Sequence, residues 1–368
     1  MTALFSLGLT REETLWERLR SDPRPIVLYG TGNGADKIID QLAAIGRTPA
    51  GVFASTGFVR ARTFRDMPVE SYEETVARLG EDIVILISFG SSLPEVMERM
   101  FALSERHDTV LPDVPLIGGE VFTWEYMEKH ITEIEKVYGL LYDEASRSLF
   151  LDMLRYRLTG RLSCLTKTEE SGVSLRTLAD TEKIRTAVDG GAFKGDSAEV
   201  IRAACPHIEK ILAVEADART AKKLAEYAAG TNGVVQPVHA ALWDVPDTLT
   251  YSASASRGAG TAGTNRRARV ETVPADTVDR IAGGTVIDLL KLDVEGAEAR
   301  ALKGADSVIR RDMPLLAVSL YHRTEDLFSL PLTAAERYKE YRFFLRRVPC
   351  VPAWDLMLYA IPPRLCRI

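Results

Sequence analysis

Cysteine is scarce: Cys164, Cys205, Cys350 and Cys366 are the only four in 368 residues. No two of them form a C-x-x-C pair, so neither a disulfide framework nor a zinc knuckle is encoded, and all four read as packing residues. Long apolar runs are missing too. The stretch Ile83 to Ile87 has the length of a strand and falls far short of the roughly 20 residues that cross a bilayer. Met1 to Leu9 lacks a basic segment and runs into Arg11, Glu12 and Glu13, so it does not read as a secretion signal, and a cytoplasmic protein with no membrane partner is expected. Nor is there an excess of positive charge. With 46 Lys plus Arg against 52 Asp plus Glu and a net charge of -6, general attraction to phosphate backbones is absent and nucleic acid is not an expected partner. What remains, 46% hydrophobic and 27% charged residues, is ordinary for a packed chain of about two domains at roughly 150 residues each.

Helix and strand periods alternate along the chain, which predicts an α/β fold with largely parallel sheets. The alternation starts twice. The first start is the strand Ile26–Tyr29 entering Gly30-Thr31-Gly32-Asn33-Gly34-Ala35 and a helix to about Ile45. It continues as a strand at 50–54, a helix at 72–79, a strand at 83–88 and a helix at 94–106, half of a doubly wound sheet. From Trp124 to Leu158 the spacing is helical, a connector with an apolar stripe that includes Ile131, Ile134 and Val137. The second start is the strand Thr186–Val188 entering Asp189-Gly190-Gly191-Ala192-Phe193-Lys194-Gly195-Asp196-Ser197. Strands are expected at 211–214, 234–239, 286–292, 315–320, 341–345 and 356–361, about seven with the first of this half, the last two antiparallel. Helices are expected to about Cys205, at 218–229 and as one piece at 297–310. Ser252 to Thr264, poor in bulky residues, reads as a flexible loop. The expected divisions are 1–120, 121–180 and 181–368.

Ligands of open parallel sheets sit beyond the carboxyl ends of the strands, near the topological switch point. At the first such end of the second half, an acid, Asp189, stands where dinucleotide folds put the glycine that lets a pyrophosphate approach. That acid repels phosphate and suits a cationic, phosphate-free ligand, which S-adenosylmethionine is. Glu215, closing the next strand, can accept from two ribose hydroxyls. The bland alternative is a tight turn plus a solvated acid. Further on, Lys291, Asp293 and Glu295 alternate along one strand end, Glu298 reads equally as a first-turn acid that suits the helix dipole, and His322 follows Tyr321 where an acceptor hydroxyl can meet a proton acceptor. Asp276, Asp293 and Glu295 are hard oxygen ligands, but no spacing resembles a metal cage, and none is expected.

These residues, with Asp189-Gly190-Gly191-Ala192, Val214-Glu215, Ile287 to Glu298, Leu302-Lys303-Gly304-Ala305 and Tyr321 to Leu327, resemble the FkbM family of S-adenosylmethionine-dependent methyltransferases over roughly residues 184–362. The resemblance implies a class I methyltransferase with a seven-stranded Rossmann-like sheet, transferring methyl to a hydroxyl of a carbohydrate, glycoconjugate or secondary metabolite. Cofactor contacts would come from Asp189 to Ser197 (Asp189, Gly190, Gly191, Ala192, Phe193, Gly195, Asp196 and Ser197), from Glu215 and Ala216, and from Ala240, Ala241 and Leu242 near adenine. Asp293 and His322 would flank the reacting methyl, with His322 the proton acceptor and Asp293 its competitor or orienting partner; Lys291 completes the candidate catalytic set. Phe193 departs from the pattern, since many relatives carry Asn there.

The first turn, Gly30, Gly32, Asn33 and Gly34 in G-x-G-x-x-A form, has the context of a dinucleotide fingerprint. Between Gln41 and Arg65 there is no acid to hold a ribose, while Arg60, Arg62 and Arg65 offer charge to a phosphate. A docking half-domain that has lost its ligand, a phosphate or nucleotide-sugar site, and a redox site all remain open there. Alternatives for the whole chain are therefore an NADP-dependent oxidoreductase and a non-catalytic nucleotide-sugar-binding scaffold. A homo-oligomer is compatible with every reading.

Overall fold

The computed structural model describes residues 7–55, 63–253 and 269–368. Helix α1 (Leu15–Ser21) precedes the first sheet, built from β1 (Ile26–Tyr29), β2 (Gly51–Phe53), β3 (Thr63–Phe64), β4 (Met67–Glu70), β5 (Val84–Ile87) and β6 (Asp108–Val110) in the order β3-β4-β2-β1-β5-β6. All its pairs are parallel except β3 with β4. Helices α2 (Asn33–Ala44), α3 (Tyr72–Leu79) and α4 (Pro94–Arg106) make the crossovers. The central strands β1 and β5 are buried at every residue, which is why they read as uninterrupted apolar runs rather than alternating ones. Helix α3 starts where Ser71 and Glu74 form a reciprocal capping box.

The connector is helical, as expected: α5 (Trp124–Lys129), α6 (Ile131–Leu140), α7 (Glu144–Thr159) and α8 (Val173–Leu178). Asp143 caps the start of α7, and Gly160 ends it in the left-handed conformation.

The second sheet contains seven strands in the order β15-β16-β14-β13-β7-β8-β9. Its parallel part comprises β7 (Thr186–Gly190), β8 (Lys210–Glu215), β9 (Val235–His239), β13 (Leu289–Leu292) and β14 (Leu315–Ser319); β15 (Arg342–Arg347) and β16 (Leu356–Ile361) form the expected antiparallel pair. Strand order reverses beside β7, so its carboxyl end and that of β13 flank a crevice. Helices α9 (Asp196–Ala204) and α10 (Ala218–Ala229) connect β7, β8 and β9. A small third sheet joins β10 (Ala241–Leu242), β11 (Asp247–Ala253) and β12 (Arg269–Asp276) in the order β10-β12-β11.

The structure departs from the sequence reading in three places. Strands β3, β4 and β6 are two to four residues long, too short for period-two patterning to register. Ser252 and Ala253, expected in a loop, pair with Val270 and Arg269 as the end of β11; residues 254–264 of that expected loop lie outside the described residues. The helix expected at 297–310 is two, α12 (Glu298–Lys303) and α13 (Asp306–Asp312), after α11 (Val278–Ala282). The break falls at Gly304, where a Cβ would sit 2.1 Å from the Trp243 carbonyl oxygen. Helix α14 (Asp326–Arg337) follows β14.

Among the described residues, the largest of three buried apolar clusters runs through the molecule. Val27, Tyr29 and Ile85 of the first sheet, Phe122, Ile134 and Phe150 of the connector and Val188, Leu290 and Leu358 of the second sheet belong to a single buried cluster. The four cysteines are free, three of them buried. Among the described residues, no helix is long and apolar enough to cross a membrane.

Candidate active site

A cavity of about 390 Å³ opens at the carboxyl ends of β7, β8 and β13. Its shape depends on the turn after β7. Gly191 has φ +74, and a Cβ there would lie 1.8 Å from the Asp293 carbonyl oxygen, so the turn can pass the end of β13 only as glycine. Of the residues expected to hold a cofactor, Gly191, Phe193, Asp196, Ser197, Glu215, Ala216, Ala240, Ala241 and Leu242 line the cavity, as do Lys291 and Asp293. Gly190, Ala192 and Gly195 shape the turn from behind: a Cβ on Gly190 would meet Leu242, one on Gly195 would meet Tyr227, and Ala192 is fully buried.

Asp189 is placed differently from the expectation. Its carboxylate is fully buried, accepts a hydrogen bond from Ser197 Oγ at 2.7 Å and pairs with Lys291 Nζ at 3.2 Å. Its work is to hold Lys291 and the first turn of α9. Burial alone would lower the Lys291 pKa, but the charges of Asp189 and Asp293 outweigh it and raise it. Lys291 also donates to the Gly191 carbonyl oxygen at 3.0 Å, tying β13 to the turn.

Glu215 ends β8 with each carboxylate oxygen already accepting a backbone N–H, from Phe193 at 3.0 Å and Asp217 at 2.8 Å. Burial pushes its carboxyl up to about 7, against those two amides. The remaining lone pairs face the cavity that it lines. Phe193 adopts φ +51, a conformation that Asn tolerates and aromatic residues rarely take.

Beside this cavity His322 is 1% exposed and ringed by acids. Its Nδ1 lies 3.0 Å from Glu298 Oε1; Nε2 lies 3.5 Å from Glu295 Oε2 and 3.7 Å from Asp293 Oδ1. Burial acts to lower the His322 pKa, yet the Glu298 charge, the hydrogen bonds to Glu295 and Glu298 and the Asp293 charge hold it well above the usual 6.5. Asp293 stays below the ordinary carboxylate range: its burial is outweighed by the charges of Lys291 and His322 and by the Tyr321 hydroxyl, which donates to Oδ1 at 2.8 Å. Asp293, Glu298 and His322 bring ligand atoms within 4.8 Å of one another, a spacing that either a divalent cation or a protonated imidazole satisfies. Asp276, one of the hard ligands considered from sequence, pairs instead with Arg280 at 2.9 Å.

Glu298 is the residue that sequence reasoning underrated. It shares the buried side of α12 with Ala301 and Leu302, and that i, i+3, i+4 spacing was the available signal that its carboxylate turns inward. It also accepts from Val294 N–H at 2.9 Å, fixing the segment between β13 and α12. Trp243, Asp217 and Tyr321 also line the cavity.

The first glycine turn lines a second cavity of about 660 Å³. Gly30, Gly32, Asn33 and Gly34 form one wall, and Tyr321, His322 and Arg323 reach it from the second sheet. Arg65, considered as a phosphate ligand, pairs on the surface with Asp36 and Asp40 at 2.7 and 3.5 Å; Arg60 and Arg62 lie outside the described residues.

Comparison with known proteins agrees with this geometry. Residues 189–347 match the model of the methyltransferase FkbM domain. No curated protein matches the chain. Among solved structures, the methyltransferase FkbM of Methylobacillus flagellatus is similar in fold over 97% of both chains, with a TM-score of 0.70 at 16% identity. Aeropyrum pernix fibrillarin, solved with natively bound S-adenosylmethionine, aligns over 49% of this chain and 67% of its own, at TM-score 0.31 and 15% identity. A putative O-methyltransferase of Klebsiella pneumoniae aligns over 67% and 92%, at TM-score 0.31 and 12% identity. The part of this chain from Asp189, near the end of β7, to Arg347, at the end of β15, thus matches the methyltransferase FkbM domain.

Proposed function

We propose that the chain is an S-adenosylmethionine-dependent O-methyltransferase acting on a hydroxyl of a carbohydrate or related metabolite. The observation that carries this reading is the position of the acid-ringed, buried His322 beside Asp293 and Tyr321, which line the cavity between β7, β8 and β13, while His322 itself lines the neighbouring cavity. The residues fit the cofactor. Six acids, Asp196, Glu215, Asp217, Asp293, Glu295 and Asp355, line the cavity against Lys291, the one cation there among the described residues, an environment hostile to phosphate and suited to a positively charged ligand. Its volume lies in the roughly 300–1,000 Å³ range of small-ligand sites.

Glu215 would accept from the ribose hydroxyls, and the Ala240–Leu242 segment would cover adenine. When bound, the cofactor supplies an electrophilic methyl whose carbon–sulfur bond breaks, the pair staying on sulfur, as the acceptor oxygen–carbon bond forms. Neutral His322 takes the hydroxyl proton, and Glu298 holds the ring from the opposite nitrogen. Asp293, oriented by Tyr321, keeps the acceptor hydroxyl aligned.

Isothermal titration of the full chain with S-adenosylmethionine and S-adenosylhomocysteine is expected to give saturable binding. His322→Gln should retain that binding while methyl transfer falls by about 10² to 10⁴-fold, the contribution of a positioned base. A folded chain that binds neither compound overturns the reading.

A further inference from the structure

The two cavities meet at Tyr321, which lines both, and their charges are opposite. The first is rich in acids. The charged residues of the second are the cations Lys37, Arg157 and Arg323 with His322, against the one acid Asp113. Packing explains two of the three glycines in its turn: a Cβ on Gly30, at φ +112, would lie 2.7 Å from Phe89, and one on Gly34 would lie 2.2 Å from the Ser88 carbonyl oxygen. Gly32 has neither constraint. Its φ is -97, and a Cβ there would meet nothing within 4 Å, so the protein leaves the spot open toward the cavity that Gly32 lines.

Gly32 caps α2, a helix of 12 residues whose N-terminus no side chain covers, and such an end attracts anions. One turn along, the Lys37 ammonium donates to the carbonyls of Pro115 and Leu116 at 2.6 and 2.7 Å. Among the described residues no carboxylate lies within 4.0 Å of it, and it is a cation with room for a counter-ion. Tyr156, which lines the same cavity, is 1% exposed and its hydroxyl has no hydrogen-bond partner. A buried phenol without a partner costs about 1–3 kcal/mol unless a ligand completes it. A ribose-holding acid is lacking as well: β2 runs out into Ala54 and Ser55, both lining this cavity.

We propose that the cavity under the first glycine turn is the acceptor site, binding the phosphate end of a phosphorylated carbohydrate on Gly32, Asn33 and Lys37 while its hydroxyl reaches Tyr321 and His322. This rests on the methyltransferase reading and divides the ligands by charge: the cationic methyl donor in the acidic cavity, the anionic acceptor in the basic one.

The test is isothermal titration of the full chain with inorganic pyrophosphate, uridine diphosphate, NADPH and S-adenosylmethionine, for the wild type, Gly32→Val and Lys37→Gln. Pyrophosphate is expected to bind the wild type and to lose at least about tenfold in affinity in both variants. S-adenosylmethionine should bind all three proteins within about twofold, which also shows that the variants fold. A wild type that binds S-adenosylmethionine but no pyrophosphate, or variants that bind pyrophosphate as the wild type does, overturns this inference and leaves the methyltransferase reading standing. A chain that binds pyrophosphate but no S-adenosylmethionine overturns that reading and the acceptor assignment with it. NADPH binding more than about tenfold tighter than uridine diphosphate makes the turn a dinucleotide site and also overturns the acceptor assignment.

Discussion

At His322, burial of the ring and the surrounding carboxylates pull in opposite directions, and the carboxylates prevail. The imidazole therefore holds its proton to higher pH than a free one, and its base form appears only as pH rises through a value above 6.5. Transfer should accordingly climb with pH along a limb centred above 6.5, measured in single-turnover assays with bound cofactor. Glu298→Gln removes the largest of the charges that raise the pKa and should move that limb downward; a limb at or below 6.5 in the wild type, or one that Glu298→Gln leaves in place, sinks the base assignment. A second consequence at this scale concerns Asp189. From the sequence it reads as a cofactor ligand, yet it is fully buried against Lys291. Removing one partner of a buried ion pair leaves an uncompensated charge, at a cost of about 3–5 kcal/mol. Asp189→Asn should thus lower unfolding stability by about that much in urea titrations, and an unchanged midpoint would mean that Asp293, 3.9 Å from Lys291, neutralises the lysine alone.

The turn after β7 shows what an element can and cannot reveal in its sequence. Its glycines and its acid were legible, because a strand running into Asp-x-Gly-x-x-x-Gly and then a helix has few other meanings. Which way the acid pointed was not legible, since Lys291 is about a hundred positions away and only the parallel register of β7 with β13 places the two side by side. The same holds for Glu298, whose burial against His322 depends on β14 lying beside β13. Within the turn, two positions with positive φ should respond differently. Gly191→Ala adds both a left-handed conformation and a Cβ 1.8 Å from the Asp293 carbonyl oxygen, so it should cost roughly 3 kcal/mol and slow transfer by displacing Asp293. Phe193→Asn, at φ +51, suits its backbone better and should change stability by less than about 1 kcal/mol. Thermal unfolding of both variants decides this; a Gly191→Ala protein as stable as the wild type would show that the strand end yields freely.

Over the whole chain, the two strand-to-glycine starts were readable because each is a local pattern, whereas the cavity between them was not, because residues 29–38 and 321–324 meet only through the packing of two sheets. The contacts that join them are specific. Ile117 N–H donates to the His322 carbonyl at 3.2 Å, the Thr324 hydroxyl donates to the Glu120 carbonyl at 2.7 Å, and Arg157 of α7 donates to the Thr324 carbonyl at 2.6 Å. Beneath them one apolar cluster is continuous from β1 through α7 to β16, so the connector is shared interior rather than a tether, and each sheet loses the cover of one face when the other unfolds, its opposite face lying in a separate cluster. Equilibrium unfolding should then be one transition, with far-ultraviolet dichroism and tryptophan fluorescence giving the same midpoint. Phe150, 1% exposed on α7, contacts this shared core, and Phe150→Ala should lower the common midpoint by the equivalent of about 3–5 kcal/mol. If that variant, or the wild type, instead unfolds in two separated steps, the sheets are independent units. The acceptor hydroxyl would then be presented to His322 across a movable joint, and transfer would depend on closure as well as on chemistry.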